Sequence, residues 1–245
     1  MAHPFETRHE ATVPATPEEV WDALTDGPQI DSWFMGRNQV EPRPGGVARI
    51  EHPAFTMEST VTAWEPPTRF EYRSPEAEDG SFHVFDYRVD GLDRGSRIRW
   101  VHSGALSGDD WEAEYAAMGE GDPMYFHKLT AFLTYFRGRV ATPIDAFGPN
   151  AGQGLTAEAF RGPLGLPEMP TLDERVVLTP EGLDRIAGVV DFVSKSFIGV
   201  RTDDAMYRFI AGFEGTPMVG HHMFTEIDRG AAEEAWTAWL ARAFS

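Results

Sequence analysis

The chain has 245 residues, with 21 Lys+Arg against 39 Asp+Glu, a formal net charge of −18 at pH 7, 42% apolar residues and 24% charged ones. That is a globular composition with enough chain for one large core or two small ones, and an acidic excess shared by both halves argues against direct contact with a phosphate backbone. With no cysteine, disulfides, thiolate nucleophiles and thiolate metal ligands are excluded.

The opening Met1-Ala2-His3-Pro4-Phe5-Glu6 has neither a basic nor an apolar leader, and no later apolar run approaches ~18 residues. The expectation is a cytoplasmic protein that engages no membrane. Residues 5–13 alternate as a strand. Thr16-Pro17-Glu18-Glu19 then combines a capping hydroxyl, Pro at the first helical position and Glu at the third, a capping box. The helix it opens carries Val20, Ala23 and Leu24 on one side and stops near Gly27-Pro28. A short second helix presents Ile30, Trp33 and Phe34, and Pro42-Arg43-Pro44-Gly45-Gly46 reads as a turn.

From Val47 to His102 the pattern predicts strands over 47–52, 56–65, 68–74, 81–89 and 95–103. Their short spacings favour an antiparallel meander, because a parallel crossover needs a dozen or more residues. Ile98, Trp100 and His102 share one face of the last strand, opposite Arg97 and Arg99. Phe70 and Tyr72 likewise oppose Arg69, Glu71 and Arg73. The sheet therefore has one aromatic and one charged face. Residues 123–139 supply the cover, with Tyr125, Phe126, Leu129, Phe132, Leu133 and Phe136 at helical spacing. Pro123 marks the expected start of that helix, and the acidic stretch 107–121 before it reads as a lid-like loop or a short helix.

Residues 143–175, rich in Gly and Pro, read as a connection with at most one short helix near 156–162. Strands follow over 184–193, 197–202, 205–212 and 217–226, then a helix over 229–243 with Asp228 as its cap. A gapless shift pairs Val61 with Val189, Trp64 with Phe192, Phe70 with Ile198, Tyr72 with Val200 and Arg73 with Arg201. The expected organisation is a sheet-and-helix domain over 1–142, the connection 143–175, and a C-terminal half over 176–245 that reads as a truncated repeat.

The order strand, two helices, meander and long helix resembles the START-like (SRPBCC) superfamily. Pro17-Glu18-Glu19-Val20-Trp21-Asp22-Ala23-Leu24-Thr25, Trp33-Phe34, Pro44-Gly45-Gly46, Glu65-Pro66-Pro67-Thr68-Arg69-Phe70 and Gly95-Ser96-Arg97-Ile98-Arg99-Trp100-Val101-His102-Ser103-Gly104 are similar to its branch named after activators of a heat-shock chaperone ATPase. The resemblance covers about 5–139. It departs from that pattern at Asp122-Pro123-Met124-Tyr125, where many members have Gly-Trp. The implied fold is an α+β helix-grip: an antiparallel sheet wrapped around a long C-terminal helix with a deep cavity between them, lined by inward-pointing rings.

Candidate cavity residues are Trp33, Phe34, Tyr72, Trp100, His102, Trp111, Tyr125 and Leu129, each of which ordinary core packing also accounts for. His102 reads either as a ligand hydrogen-bonder or general base, or as a core histidine satisfied by a neighbour. Asp86 faces solvent if Phe85, Tyr87 and Val89 face inward; Glu58 is ambiguous in the same way. Adjacent His221 and His222 point to opposite faces of a strand and cannot share an ion, and His3, His9, His52, His83 and His127 show no ligand spacing, so no metal is expected. Gly152-Gln153-Gly154 follows no strand of a βαβ unit, which leaves no dinucleotide loop and no expected cofactor. The function expected is binding of a hydrophobic or aromatic small molecule in the internal cavity. The alternative is an enzyme using that cavity for cyclisation, dehydration or hydrolysis with His102 as base. A chaperone co-activator role, with an unspecified protein partner, follows from the branch's name alone.

Overall fold

Strand β1 (His3–Val13) passes the chain to helix α1 (Pro17–Thr25) through the capping box read in the sequence. Thr16 Oγ1 accepts the Glu19 N–H at 3.3 Å, and the Glu19 carboxylate accepts the Thr16 N–H at 2.8 Å. Thr16→Ala removes one half of this exchange and is expected to cost about 1 kcal/mol, read as a lowered unfolding midpoint. The computed structural model describes residues 2–245, all but the side chain of Phe213, and divides into two units at Val140/Ala141. None of the described helices is long and apolar enough to cross a membrane.

In the first unit, α1 is followed by α2 (Gly27–Ile30) and by strands β2 (Arg37–Val40), β3 (Val47–His52), β4 (Phe55–Glu65), β5 (Arg69–Arg73), β6 (Phe82–Gly91) and β7 (Ser96–Leu106). They form an antiparallel sheet in the order β1-β7-β6-β5-β4-β3-β2, so the first strand pairs with the last. The two-residue alternation holds across it. Phe70, Tyr72, Tyr87, Val89, Ile98 and Trp100 are buried on one face. The other carries ion pairs such as Arg69–Asp86 at 3.0 Å, Arg88–Asp86 at 3.0 Å and Arg99–Asp90 at 2.6 Å. Asp86 thus lies on the charged side, as does Glu58, 3.5 Å from Arg49.

Helix α3 (Trp111–Ala131) covers the aromatic face and continues as a π-helical turn over Phe132–Phe136. It starts at Trp111, not at Pro123, so the stretch expected as a lid-like loop or short helix is the first half of the long helix. Gly119, Gly121 and Pro123 weaken the local helical signal. Glu112 and Glu114 in the first turn suit the positive end of the helix dipole, and burial of Met124, Phe126, Leu129, Phe132, Leu133 and Phe136 holds the rest.

The second unit corrects the expected organisation. Residues 143–175 do not form a connection: strand β8 (Thr142–Phe147) pairs with the last strand of the unit, and helix α4 (Glu158–Arg161) contributes Phe160 to its core. Pro143 within it and Gly148-Pro149 after it disguised this strand, which sits at a sheet edge where a proline's missing N–H can be tolerated. Strands β9 (Arg175–Leu178), β10 (Ile186–Val193), β11 (Phe197–Arg201), β12 (Ala205–Ala211) and β13 (Pro217–Met223) complete the order β8-β13-β12-β11-β10-β9. Helix α5 (Arg229–Ala243) starts at Asp228, whose carboxylate accepts the Ala231 N–H at 3.1 Å.

The strand circuit is that of the first unit with one edge strand fewer, so the second unit holds more than half of the first unit's elements. Both sheets also carry an irregularity at the matching place, between Val61 and Ala63 and between Val190 and Phe192. Val61 opposes Tyr72 and Val190 opposes Val200, which sets β10 one position away from the gapless pairing. The irregularity in β10 places Asp191 against Arg208 of β12, with two contacts of 3.0 and 2.9 Å. Arg208 is fully buried, and its backbone N–H donates to His221 Nδ1 at 3.0 Å.

Candidate functional site

A cavity of about 30 Å³, roughly one water's worth, lies among Leu24, Trp33, Phe34, Ile50, Phe70 and Tyr72. Trp33 is fixed there by its indole N–H donating to the Ala23 carbonyl at 2.8 Å, and Phe34 packs on Tyr125 with ring centres 4.9 Å apart. The hydroxyls of Tyr72 and Tyr87 share a hydrogen bond, and burial raises the pKa of both phenols above the ordinary range. Trp100 lies parallel to Tyr87 at 5.6 Å, and Leu129 is fully buried.

His102 is held by polar partners on both ring nitrogens. Nδ1 is 2.9 Å from Asp122 Oδ2 on α3, and Nε2 is 3.0 Å from His83 Nδ1 on β6. The Thr7 hydroxyl of β1 donates to the same Asp122 oxygen at 2.7 Å. At the outer end, His83 Nε2 lies 3.9 Å from a Glu114 carboxylate oxygen. The result is a chain Asp122–His102–His83–Glu114 running outward from a buried carboxylate. Asp122 and His102 are buried, whereas the His83 side chain keeps a quarter of its surface.

Rings enclose this chain. Phe85 stacks on His102 at 4.2 Å, and Phe5 meets His102 edge-on at 5.1 Å and His83 at 5.6 Å. Gly104 separates Phe5 from His83 in the strand register, and a Cβ there would lie 2.0 Å from the Phe82 carbonyl oxygen. Burial and neighbouring His102 push the His83 imidazole down to about 4, against an opposing pull from Asp122. Burial also lowers the pKa of His9, whose Nε2 has no hydrogen-bond partner.

Farther out along β1 and β7 the same face opens into a pocket of about 180 Å³ lined by His3, Pro4, Phe5, Glu6, Leu106, Trp111 and Tyr115. His3 stacks on Trp111 at 4.1 Å with the rings nearly parallel. Trp111, Glu114 and Tyr115 lie on the first turns of α3, so one helical segment walls the pocket and reaches the outer end of the histidine chain.

Residues 14–134 match the family described as "Activator of Hsp90 ATPase homolog 1-like protein". The first unit belongs to this family. No curated protein matches the chain. Similar solved structures include protein MLL2253 from Mesorhizobium loti, 25% identical over 53% of this chain and 96% of its own, with a TM-score of 0.47. CalU16 from Micromonospora echinospora is 22% identical over 54% of this chain and 74% of its own, at a TM-score of 0.41. The Aha1 dimer from Colwellia psychrerythraea is 17% identical over 55% of this chain and 99% of its own, at 0.46.

Within this activator-homologue unit, the structure divides the sequence-derived candidates among four places. Trp33, Phe34 and Tyr72 border the small residual cavity, with Tyr125 against Phe34. Trp100 and Leu129 are core, His102 belongs to the polar chain, and Trp111 lines the outer pocket. Sequence reasoning missed Asp122, His83, Glu114 and Thr7. The departure Asp122-Pro123 from the family's Gly-Trp was a signal for Asp122, since a carboxylate placed inside the covering helix faces the sheet. His83 was legible through alternation: it shares the face of Phe85, Tyr87 and Val89.

Proposed function

We propose that the activator-homologue unit binds a small aromatic or hydrophobic molecule in the pocket between the outer ends of β1 and β7 and the first turns of α3. The observation that carries this reading is the contrast in free space: about 180 Å³ at Trp111 and Tyr115, about 30 Å³ beneath the sheet. A cavity of roughly 150 Å³ admits benzene, so the outer pocket suits a guest of one or two rings. Phe5, Leu106, Trp111 and Tyr115 supply apolar surface, and Glu6 supplies an acceptor at the rim.

Calorimetric titration with indole tests this. Wild type is expected to bind, and Trp111→Ala to weaken binding about tenfold, the scale of one lost aromatic contact. Ile50→Val, at the residual cavity, is expected to leave affinity unchanged. The reverse pattern would move the guest beneath the sheet, and no binding would remove the proposal.

A further inference from the structure

Asp122 fixes the polarity of the histidine chain, because a carboxylate can only accept. With His102 neutral, its Nδ1–H donates to Asp122, so its Nε2 carries the lone pair and accepts from the Nδ1–H of His83. That leaves the lone pair of His83 on Nε2, the atom facing Glu114. Both hydrogen bonds of His102 are then satisfied, and His83 presents an acceptor nitrogen at the outer end, 3.9 Å from the Glu114 carboxylate.

We infer that Asp122, His102 and His83 form a proton relay in which His83 is the general base and His102 the store. A proton taken at His83 Nε2 forms a new N–H bond there. The His83 Nδ1–H bond breaks as its proton passes to His102 Nε2. His83 ends neutral with its remaining N–H toward Glu114, and His102 ends as an imidazolium paired with the Asp122 carboxylate. One proton enters, one charge is moved inward, and nothing else is consumed. The donor is a ring compound carrying a weakly acidic O–H or N–H, left as its anion, that reaches His83 past Phe5, the pocket-lining ring in contact with it; this assignment of substrate rests on the proposed pocket.

The surroundings favour that resting place for the charge. His83 stays neutral because its own protonation is penalised by burial and by His102. His102 contacts Asp122 from α3 and His83 and Phe85 on β6, with Thr7 opposite it on β1; His9 on β1 interacts with both His102 and Asp122, and the buried phenols Tyr72 and Tyr87 interact with Asp122, the carboxylate that touches His102. Asp122 and His102 act through His83 and are positioning residues, whereas His83 would meet the guest.

Heteronuclear NMR of the imidazole nitrogens tests the relay without any guest. On acidification, His102 is expected to acquire protons on both nitrogens in the same pH window in which His83 changes from the Nδ1–H to the Nε2–H tautomer. Independent titration of the two rings, or an imidazolium at His83, would overturn the relay. Asp122→Asn should shift the His102 transition to lower pH by removing the paired charge, and a Thr7→Val variant should keep the tautomer change.

The guest arm uses para-nitrophenol, at a pH below that at which the free phenol ionises. The bound phenol is expected to show the phenolate absorbance, and H83Q to bind it without that band. A bound but neutral phenol in wild type would overturn the role of His83 as base. Absence of any bound phenol, with the tautomer change intact, would overturn the pocket and the substrate class and leave the relay supported.

Discussion

Replacing Arg208 with methionine is expected to destabilise the second unit by roughly 3–5 kcal/mol, the scale of a buried ion pair broken from one side. Arg208 is fully buried, and its guanidinium holds both oxygens of Asp191 at 3.0 and 2.9 Å. The variant keeps much of the volume but removes the guanidinium from beside a buried carboxylate. The matched double variant, Arg208→Met with Asp191→Leu, is expected to recover most of the loss, because neither charge then remains to be desolvated. Gly199→Ala should act on the same pair: the added carbon would stand 2.8 Å from Asp191 Oδ1 and 2.9 Å from Arg208 Nη1. Hydrogen exchange across β10, β11 and β12 under mild denaturant reads all three. Equal losses in the single and double variants would show that packing, and not charge, governs the site.

The largest effect expected in the first unit comes from Phe70→Ala. Phe70 is buried on β5, with ring centres 5.4 Å from Tyr72, 5.7 Å from Trp64 and 6.4 Å from Trp21. Its removal should cost about 3–5 kcal/mol, through lost burial and through the void left where neighbours cannot collapse. The ring borders the cavity of about 30 Å³, so the new void adds to an existing one. An apolar space of roughly 150 Å³ stays dry and takes benzene. Benzene should therefore raise the melting temperature of the variant by more than that of wild type. A loss with no added benzene response would mean that the aromatic layer collapses into the gap.

Strand alternation made most of the first sheet readable, because a sheet buried on one face writes its pattern into every second residue. The capping chemistry at Thr16 and Asp228 was equally local, and both helices begin there. The site was only partly readable. His102 stood out as a polar residue in an aromatic row, but its partners come from β6 and α3, and nothing in a linear pattern joins them. Pro123 hid Asp122 by suggesting a helix start where the helix is already under way. In the second unit, the prolines and glycines around β8 resembled a linker, because an edge strand can carry residues that a central strand cannot. The resemblance to a cavity-forming family predicted free volume, and the space found among Leu24, Trp33, Phe70 and Tyr72 is about 30 Å³.

Each sheet is completed by joining its first strand to its last: β1 to β7, and β8 to β13. That arrangement has a consequence for biosynthesis. A nascent chain emerging from the ribosome cannot seal either unit until nearly all of that unit's sequence has been translated, because the closing pair is the most distant in the chain. Until then β1 has no neighbour, and the aromatic face it will border lies open to other hydrophobic surfaces. Such long-range closure slows folding relative to local contacts, so the interval between synthesis of β1 and arrival of β7 is when this polypeptide is most vulnerable to aggregation.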